Sequence, residues 1–175
     1  VSQIGYQGVE FAGYGDIETS QLKEHLKRLG LVAISSHVPL ERLEHHLEEE
    51  ITYAKELGMK HIVCPWATFE GIEDVENVAR VLNKVGERCN REGITLSYHN
   101  HDHEFKTIDG KYILDMIFEK TNSDHVKAQL DLCWVSKGGI DEVEYVRKYS
   151  GRCPMLHAKD YVLELKNKSA EELNG

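Results

Sequence analysis

The sequence predicts an α/β protein of the (β/α)8 barrel class, with the first and last strands of the barrel missing from this chain. Three observations predict it. Apolar, strand-like runs alternate with amphipathic helical stretches about six times, and most helices close at or near a glycine. That pattern means a parallel sheet with crossover helices. Ligand-type residues stand at the C-terminal ends of several different strands: Glu10, His37, Trp66, His99 to Glu104, Asp131 and His157. A barrel spreads its site in this way, whereas an open sheet gathers it at one switch point. No G-x-G-x-x-G or G-x-x-x-x-G-K-[ST] follows the first strand. The chain has 175 residues and six visible strands, read as a single domain over 1–175. A complete barrel takes about 250 residues. The chain is therefore expected to start inside the first helix and to stop after the seventh strand.

Taken in order, Gly5 suits a helix end, and Val9 and Phe11 suit a buried strand interrupted by Glu10. Thr19 or Ser20 can cap the next helix, which carries Leu22, Leu26 and Leu29 on one face and ends at Gly30. Leu31 to His37 is a second strand, apolar enough to be covered on both faces. One helix then carries Leu40, Leu43, Leu47, Ile51, Ala54 and Leu57, opposite an acidic face with Glu48, Glu49 and Glu50, and closes at Gly58. His61 to Trp66 is the third strand. Val75, Val78, Leu82, Val85 and Cys89 mark a helix ending at Gly93, and Ile94 to His99 is the fourth strand. Ile113, Leu114, Ile117 and Phe118 form a shorter helix. Val126 to Trp134 is the fifth strand, Asp141 caps a helix with Val143, Val146 and Tyr149, and Gly151 to Asp160 holds the sixth strand. Lys166 to Gly175 reads as loop or frayed helix.

A net charge of −9 lacks the basic footprint that nucleic acid or an anionic membrane requires. There is no apolar run of about 18 residues and no signal peptide at Val1. Cys64, Cys89, Cys133 and Cys153 stand far apart without a C-x-x-C pair, as expected of reduced, mostly buried thiols in a cytoplasmic protein.

Three imidazoles and two carboxylates fall between His99 and Glu104. No apolar core tolerates that cluster unpaired. Glu104, Asp131 and His157 form the expected metal constellation, because carboxylates with one neutral imidazole suit Mn²⁺, Mg²⁺, Co²⁺ or Zn²⁺. Such an ion polarises a carbonyl or stabilises an enediolate, which eases removal of the neighbouring proton. Glu104 can alternatively cap or pair with Lys106, and Lys159 with Asp160 can be a plain surface pair. Strand alternation turns His99 and His101 to one face, and His103 reads as solvated. His99, His101 and Glu104 are the candidates for proton transfer. Glu10, His37, Trp66, Trp134 and Lys159 are the candidates for substrate contact, with both tryptophans also suited to packing at the barrel mouth. His25, His45, His46, His61 and His125 read as surface residues.

Tyr98-His99-Asn100-His101-Asp102-His103-Glu104-Phe105, then Leu130-Asp131-Leu132-Cys133-Trp134-Val135 with Gly138-Gly139, then His157-Ala158-Lys159-Asp160, resemble the sugar phosphate isomerase/epimerase family. That family belongs to the xylose isomerase-like TIM barrel superfamily, which includes inosose dehydratases and ketose 3-epimerases. Gly5 to Phe11 resembles its second strand, and the resemblance covers nearly the whole chain. It implies, for the epimerase branch, a metal held by Glu, Asp, His and Glu from the last four strands. Asp131 matches the Asp and His157 the His. The first Glu would fall near Tyr98, and Glu104 falls where epimerases keep a second, substrate-side Glu. His99, His101 or Glu104 is then expected to supply that ligand. The last Glu belongs to an eighth strand that this sequence lacks.

The resulting expectation is a metal-dependent isomerase or epimerase that moves a proton beside a carbonyl of a small sugar or polyol. A lyase of the inosose dehydratase or keto-sugar elimination type is the alternative, and an inactive scaffold fragment is the second. The expected partner is a small sugar, with no nucleic acid and no membrane, and a homo-oligomer is compatible with the sequence.

Overall fold

The computed structural model describes residues 1–15 and 17–160, so the reading of Lys166 to Gly175 lies outside the described residues. Eight strands are present among them: β1 (Gly8–Phe11), β2 (Val32–His37), β3 (His61–Cys64), β4 (Thr95–His99), β5 (Thr107–Ile108), β6 (Lys111–Tyr112), β7 (Val126–Asp131) and β8 (Met155–His157). Six of them form one parallel sheet in the order β1-β2-β3-β4-β7-β8. Each new strand joins the same edge after a helical crossover, which is how a (β/α)8 barrel is wound. The sheet curls until Glu10 on the first strand bonds His157 on the last, 2.7 Å apart. The result is an incomplete (β/α)8 barrel. No helix among the described residues is long and apolar enough to cross a membrane.

The helices are α1 (Thr19–Leu29), α2 (Leu40–His45), α3 (Leu47–Leu57), α4 (Ile72–Arg91), α5 (Ile113–Glu119), α6 (Leu132–Lys137) and α7 (Glu142–Lys148). The α4 stripe of Val75, Val78, Leu82, Val85 and Cys89 is buried as its spacing predicts. Asp141 caps α7 by accepting from the Glu144 N–H. Gly138 explains half of the Gly138-Gly139 pair: a Cβ there would meet Phe105 Cδ2 at 2.4 Å. Phe105 thus lies directly on the α6 terminus, which ties the loop after β4 to the helix after β7.

Several elements depart from their predicted form. The helix expected through Leu57 is broken at His46, whose φ of −129° is not helical, giving α2 and α3. Arg42 spans the break to Glu49 and Glu50, and Glu50 is buried against it rather than on an acidic outer face. Thr19 is the first residue of α1 rather than its cap, and its hydroxyl bonds Glu56 on α3. Val32 and Ile34 are 60% and 42% exposed, so β2 is not covered on both faces. Pairing on β3 stops at Cys64, before Pro65, which has no N–H to give a ladder. The fifth visible strand ends at Asp131, and Leu132 to Trp134 belong to α6. The sixth is only Met155–His157.

A polar network around Asp115 ties α5 to α7. Asp115 on α5 accepts from Tyr145 at 2.8 Å and Tyr149 at 2.6 Å, and pairs with Lys148 at 2.5 Å. Burial pushes the Asp115 carboxyl up, but Lys148 and the two phenols outweigh it and hold it below the usual carboxylate range. A carboxylate depressed in the folded state stabilises fully above its unfolded value of 3.8, and that contribution is lost as pH falls through the folded value. The stability gap between the wild type and Asp115→Asn is therefore expected to be widest near neutrality and to shrink below about pH 4. Urea titrations across pH read this directly, and a gap that widens in acid would refute it.

Candidate functional site

The site forms at the C-terminal ends of five strands, β1, β2, β4, β7 and β8. β7 alternation turns Gln129 and Asp131 to one face. Its register sets His99 opposite Gln129 and Asp131 opposite His157. The bulge in β1 sets Glu10 opposite Ser35, two residues before His37. Backbone pairing alone thus gathers Glu10, Ser35, His37, His99, Gln129, Asp131 and His157.

Glu10 is the hub. Its Oε1 accepts from His157 Nε2 at 2.7 Å and lies 3.0 Å from His37 Nε2. Its Oε2 accepts from Ser35 at 2.5 Å and Gln129 Nε2 at 2.7 Å. Four donors fill the capacity of a carboxylate. Burial pushes this carboxyl up, yet the bonds from His157, His37, Ser35 and Gln129 win and hold it well below its ordinary value.

Asp131 is 0% exposed and its two oxygens differ. Oδ1 accepts the Trp134 N–H at 3.2 Å and caps α6. Asn100 holds the Asp131 backbone, accepting its N–H at 3.0 Å. Oδ2 is buried and faces Lys159, whose Nζ lies 2.9 Å away and supplies its counter-charge. His157 Nδ1 stands 3.6 Å and His99 Nε2 3.8 Å from the same oxygen, both too far for hydrogen bonds. Asp131 and then Glu10 beside its ring push the His157 imidazole up to about 9. Burial, with His101, His37 and His157 alongside, pushes His99 down to about 3.

This corner fits a divalent cation. Ligand atoms held about 2.0–2.2 Å from one ion stand roughly 3–4 Å apart, and Asp131 Oδ2 stands at that spacing from His157 Nδ1 and from His99 Nε2. Among the described residues, His37, His99 and His157 also form a group whose ligand atoms all lie within 4.8 Å of one another. In that group the His37 Nε2 position is engaged by Glu10 and Gln129.

Glu104 is not brought into this corner. It is 0% exposed, with Oε1 accepting from Tyr98 OH at 2.8 Å and Oε2 from the His101 N–H at 2.8 Å. It ties the turn after β4 together and does not pair with Lys106 as one reading allowed. Burial pushes its carboxyl up. His103 is not in solvent: it bonds the Ala67 carbonyl at 3.0 Å and lies against Trp66. His61 is half-buried, with Nδ1 enclosed and unbonded, rather than a surface residue.

His101 forms the second layer, ringed by Trp66, His99 and Trp134 at centroid distances of 4.7, 5.0 and 5.3 Å. Burial, then His103, pushes it down to about 4. Trp134 is buried beneath Lys159 and Lys137, at 4.9 and 5.0 Å, whereas Trp66 is only half-buried. Gln129, Ser35 and Asn100 went unnoticed in the sequence. The signal for the first two was available, since each stands two residues before a candidate ligand on its own strand.

Comparisons with known proteins agree with this architecture. The family model described as xylose isomerase-like TIM barrel matches residues 1–174. A curated inosose dehydratase from Geobacillus kaustophilus (strain HTA426) is 24% identical over 193 residues, covering 94% of this chain and 62% of that protein. A sugar phosphate isomerase/epimerase structure from Parabacteroides distasonis ATCC 8503 is 27% identical, with a TM-score of 0.84, covering 91% of this chain and 66% of that one. A second structure of that description from the same organism is 25% identical, with a TM-score of 0.83, covering 96% and 72%. The chain thus spans under two thirds of the length of the curated relative it matches.

Proposed function

This chain belongs to the xylose isomerase-like TIM barrel family, and from that premise we propose that it serves metal-assisted proton transfer beside the carbonyl of a small keto-sugar or keto-polyol. The observation that carries the reading is the convergence of His99 Nε2 and His157 Nδ1 on the buried Asp131 Oδ2, whose one close cation is the Lys159 ammonium. Two imidazoles and a carboxylate suit Zn²⁺, Co²⁺ or Mn²⁺ better than Mg²⁺, which favours all-oxygen sites. A bound divalent ion would polarise the carbonyl and lower the cost of removing the adjacent proton.

The chain's own residues divide the remaining work. Glu10 holds His157 by Nε2, which leaves Nδ1 turned to Asp131. His101, neutral at ordinary pH and set in the ring of Trp66 and Trp134, accepts and returns the proton. The half-buried face of Trp66 offers apolar surface for a sugar ring. Lys159 swings from Asp131 toward substrate oxygens once its counter-charge is taken up.

A second reading has its own support, because the curated relative is called an inosose dehydratase. The same first step becomes a lyase when the carbanion expels a β-hydroxyl. Incubation of keto-sugars with protein and Mn²⁺ in D₂O separates the two. Deuterium beside the carbonyl without loss of water supports the isomerase, and an unsaturated product supports the lyase. His101→Gln is expected to abolish the exchange while retaining bound metal. No exchange and no elimination from any keto-sugar would leave only a non-catalytic scaffold.

A further inference from the structure

Gln129 is 1% exposed in the middle of β7, between the two imidazoles and the hub carboxylate. The amide admits one orientation. Its Nε2 lies 2.7 Å from Glu10 Oε2, which as a carboxylate oxygen can only accept. The Oε1 atom must therefore face the imidazoles, and it lies 3.0 Å from both His37 Nε2 and His99 Nδ1. An amide oxygen carries no hydrogen, so each of those ring nitrogens must carry one. For His37 the same conclusion follows independently, since its Nε2 also stands 3.0 Å from Glu10 Oε1, a second atom that only accepts.

We propose that Gln129 is a positioning residue that fixes the tautomers of both rings, so that His99 bears its hydrogen on Nδ1 and presents the Nε2 lone pair to the corner beside Asp131 Oδ2, 3.8 Å away. The inference deepens the proposed function and rests on reading that corner as a cation site. With the opposite tautomer, His99 would aim an N–H at the point where a ligand needs a lone pair. A ring that ligates a cation through Nε2 is neutral, so its single hydrogen is the one on Nδ1. The register that sets His99 opposite Gln129 fixes the pairing at the level of the backbone.

Long-range ¹H–¹⁵N spectra of the ¹⁵N-histidine-labelled full chain, without added metal, test this on the wild type. The His99 signals are assigned by their loss in His99→Gln. The expected pattern is a protonated Nδ1 and an unprotonated Nε2. Gln129→Glu, protonated on the oxygen that faces Glu10 Oε2, keeps an acceptor toward both rings and is expected to preserve it. Gln129→Leu is expected to shift the hydrogen toward Nε2 and to weaken Zn²⁺ binding about 10–100-fold. A merely structural glutamine would lower the melting temperature without moving the hydrogen. Wild-type protein with His99 protonated on Nε2, or a Gln129→Leu variant with an unchanged pattern, overturns the proposal. If Gln129→Leu does not fold, the wild-type and Gln129→Glu spectra decide. The expected tautomer in a protein that binds no Zn²⁺ would instead sink the cation-site reading alone.

Discussion

Asp131→Asn is expected to lower divalent-cation affinity by at least roughly 100-fold while changing stability by no more than about 1 kcal/mol. Loss of a group that only orients a ligand already costs 10–100-fold, and Asp131 is the anionic ligand itself. Asparagine keeps the acceptor that caps α6 at Trp134, and capping strength barely differs between the two residues. The buried negative oxygen disappears, along with its pairing to Lys159 and its pull on His157. Calorimetric titration with Zn²⁺ or Mn²⁺, beside a urea melt, checks both halves. Affinity within threefold of the wild type would remove Asp131 from the cation site. Asp131→Ala is a poorer test, because it also deletes the cap.

Arg152→Ala is expected to destabilise the protein by about 3 kcal/mol, a large share of the 5–15 kcal/mol that holds a typical domain. The Arg152 guanidinium donates to the Val126 carbonyl at 3.0 Å, the Phe118 carbonyl at 2.7 Å, and the Thr121 carbonyl and hydroxyl at 3.0 and 2.7 Å. It also covers the Phe118 ring, 4.9 Å from its centroid. Truncation strands these acceptors, each worth about 1–3 kcal/mol when left unpaired in the interior. Arg152→Lys should recover less than half, since an ammonium cannot reproduce the planar fork. The Arg152 carbonyl accepts the Ala128 N–H at 2.8 Å, so the same residue registers β8 on β7 and sets His157 opposite Asp131. Weaker Zn²⁺ binding should accompany the lost stability. A urea midpoint shift worth less than about 1 kcal/mol would refute the role.

Periodicity and punctuation made most of the fold legible. The parallel alternation, the α4 stripe, the Asp141 cap and the open barrel all follow from residue spacing, because burial of one helix face and glycine at the turns are local requirements. The β5–β6 hairpin was equally legible and was overlooked: Asp109-Gly110 supplies the two positive φ angles, 48° and 79°, that a tight hairpin turn demands. The break at His46 was not legible, since no glycine or proline marks it and the Arg42–Glu50 pair that spans it is a tertiary contact.

At the site, strand alternation turns Gln129 and Asp131 to one face, while register, not alternation, sets Asp131 beside His157. Alternation fails past β4, where the chain turns into the short helix of His103–Phe105 and the period of two no longer governs direction. That is why His103 turns inward to Ala67 and why Glu104 spends its oxygens on Tyr98 and His101. Alternation places Gln129 on the face of Asp131, but its role lies in hydrogen-bond polarity between side chains from four strands, which no linear pattern displays.

An anomalous difference map from crystals soaked in Zn²⁺ shows directly whether Asp131, His157 and His99 together hold a divalent ion. One peak is expected, bonded to Asp131 Oδ2, His157 Nδ1 and His99 Nε2, with Lys159 moved away and Glu104 still bonded to Tyr98. A peak bound to Glu104, or no peak at this corner while Zn²⁺ occupies other sites, would rule this cation site out.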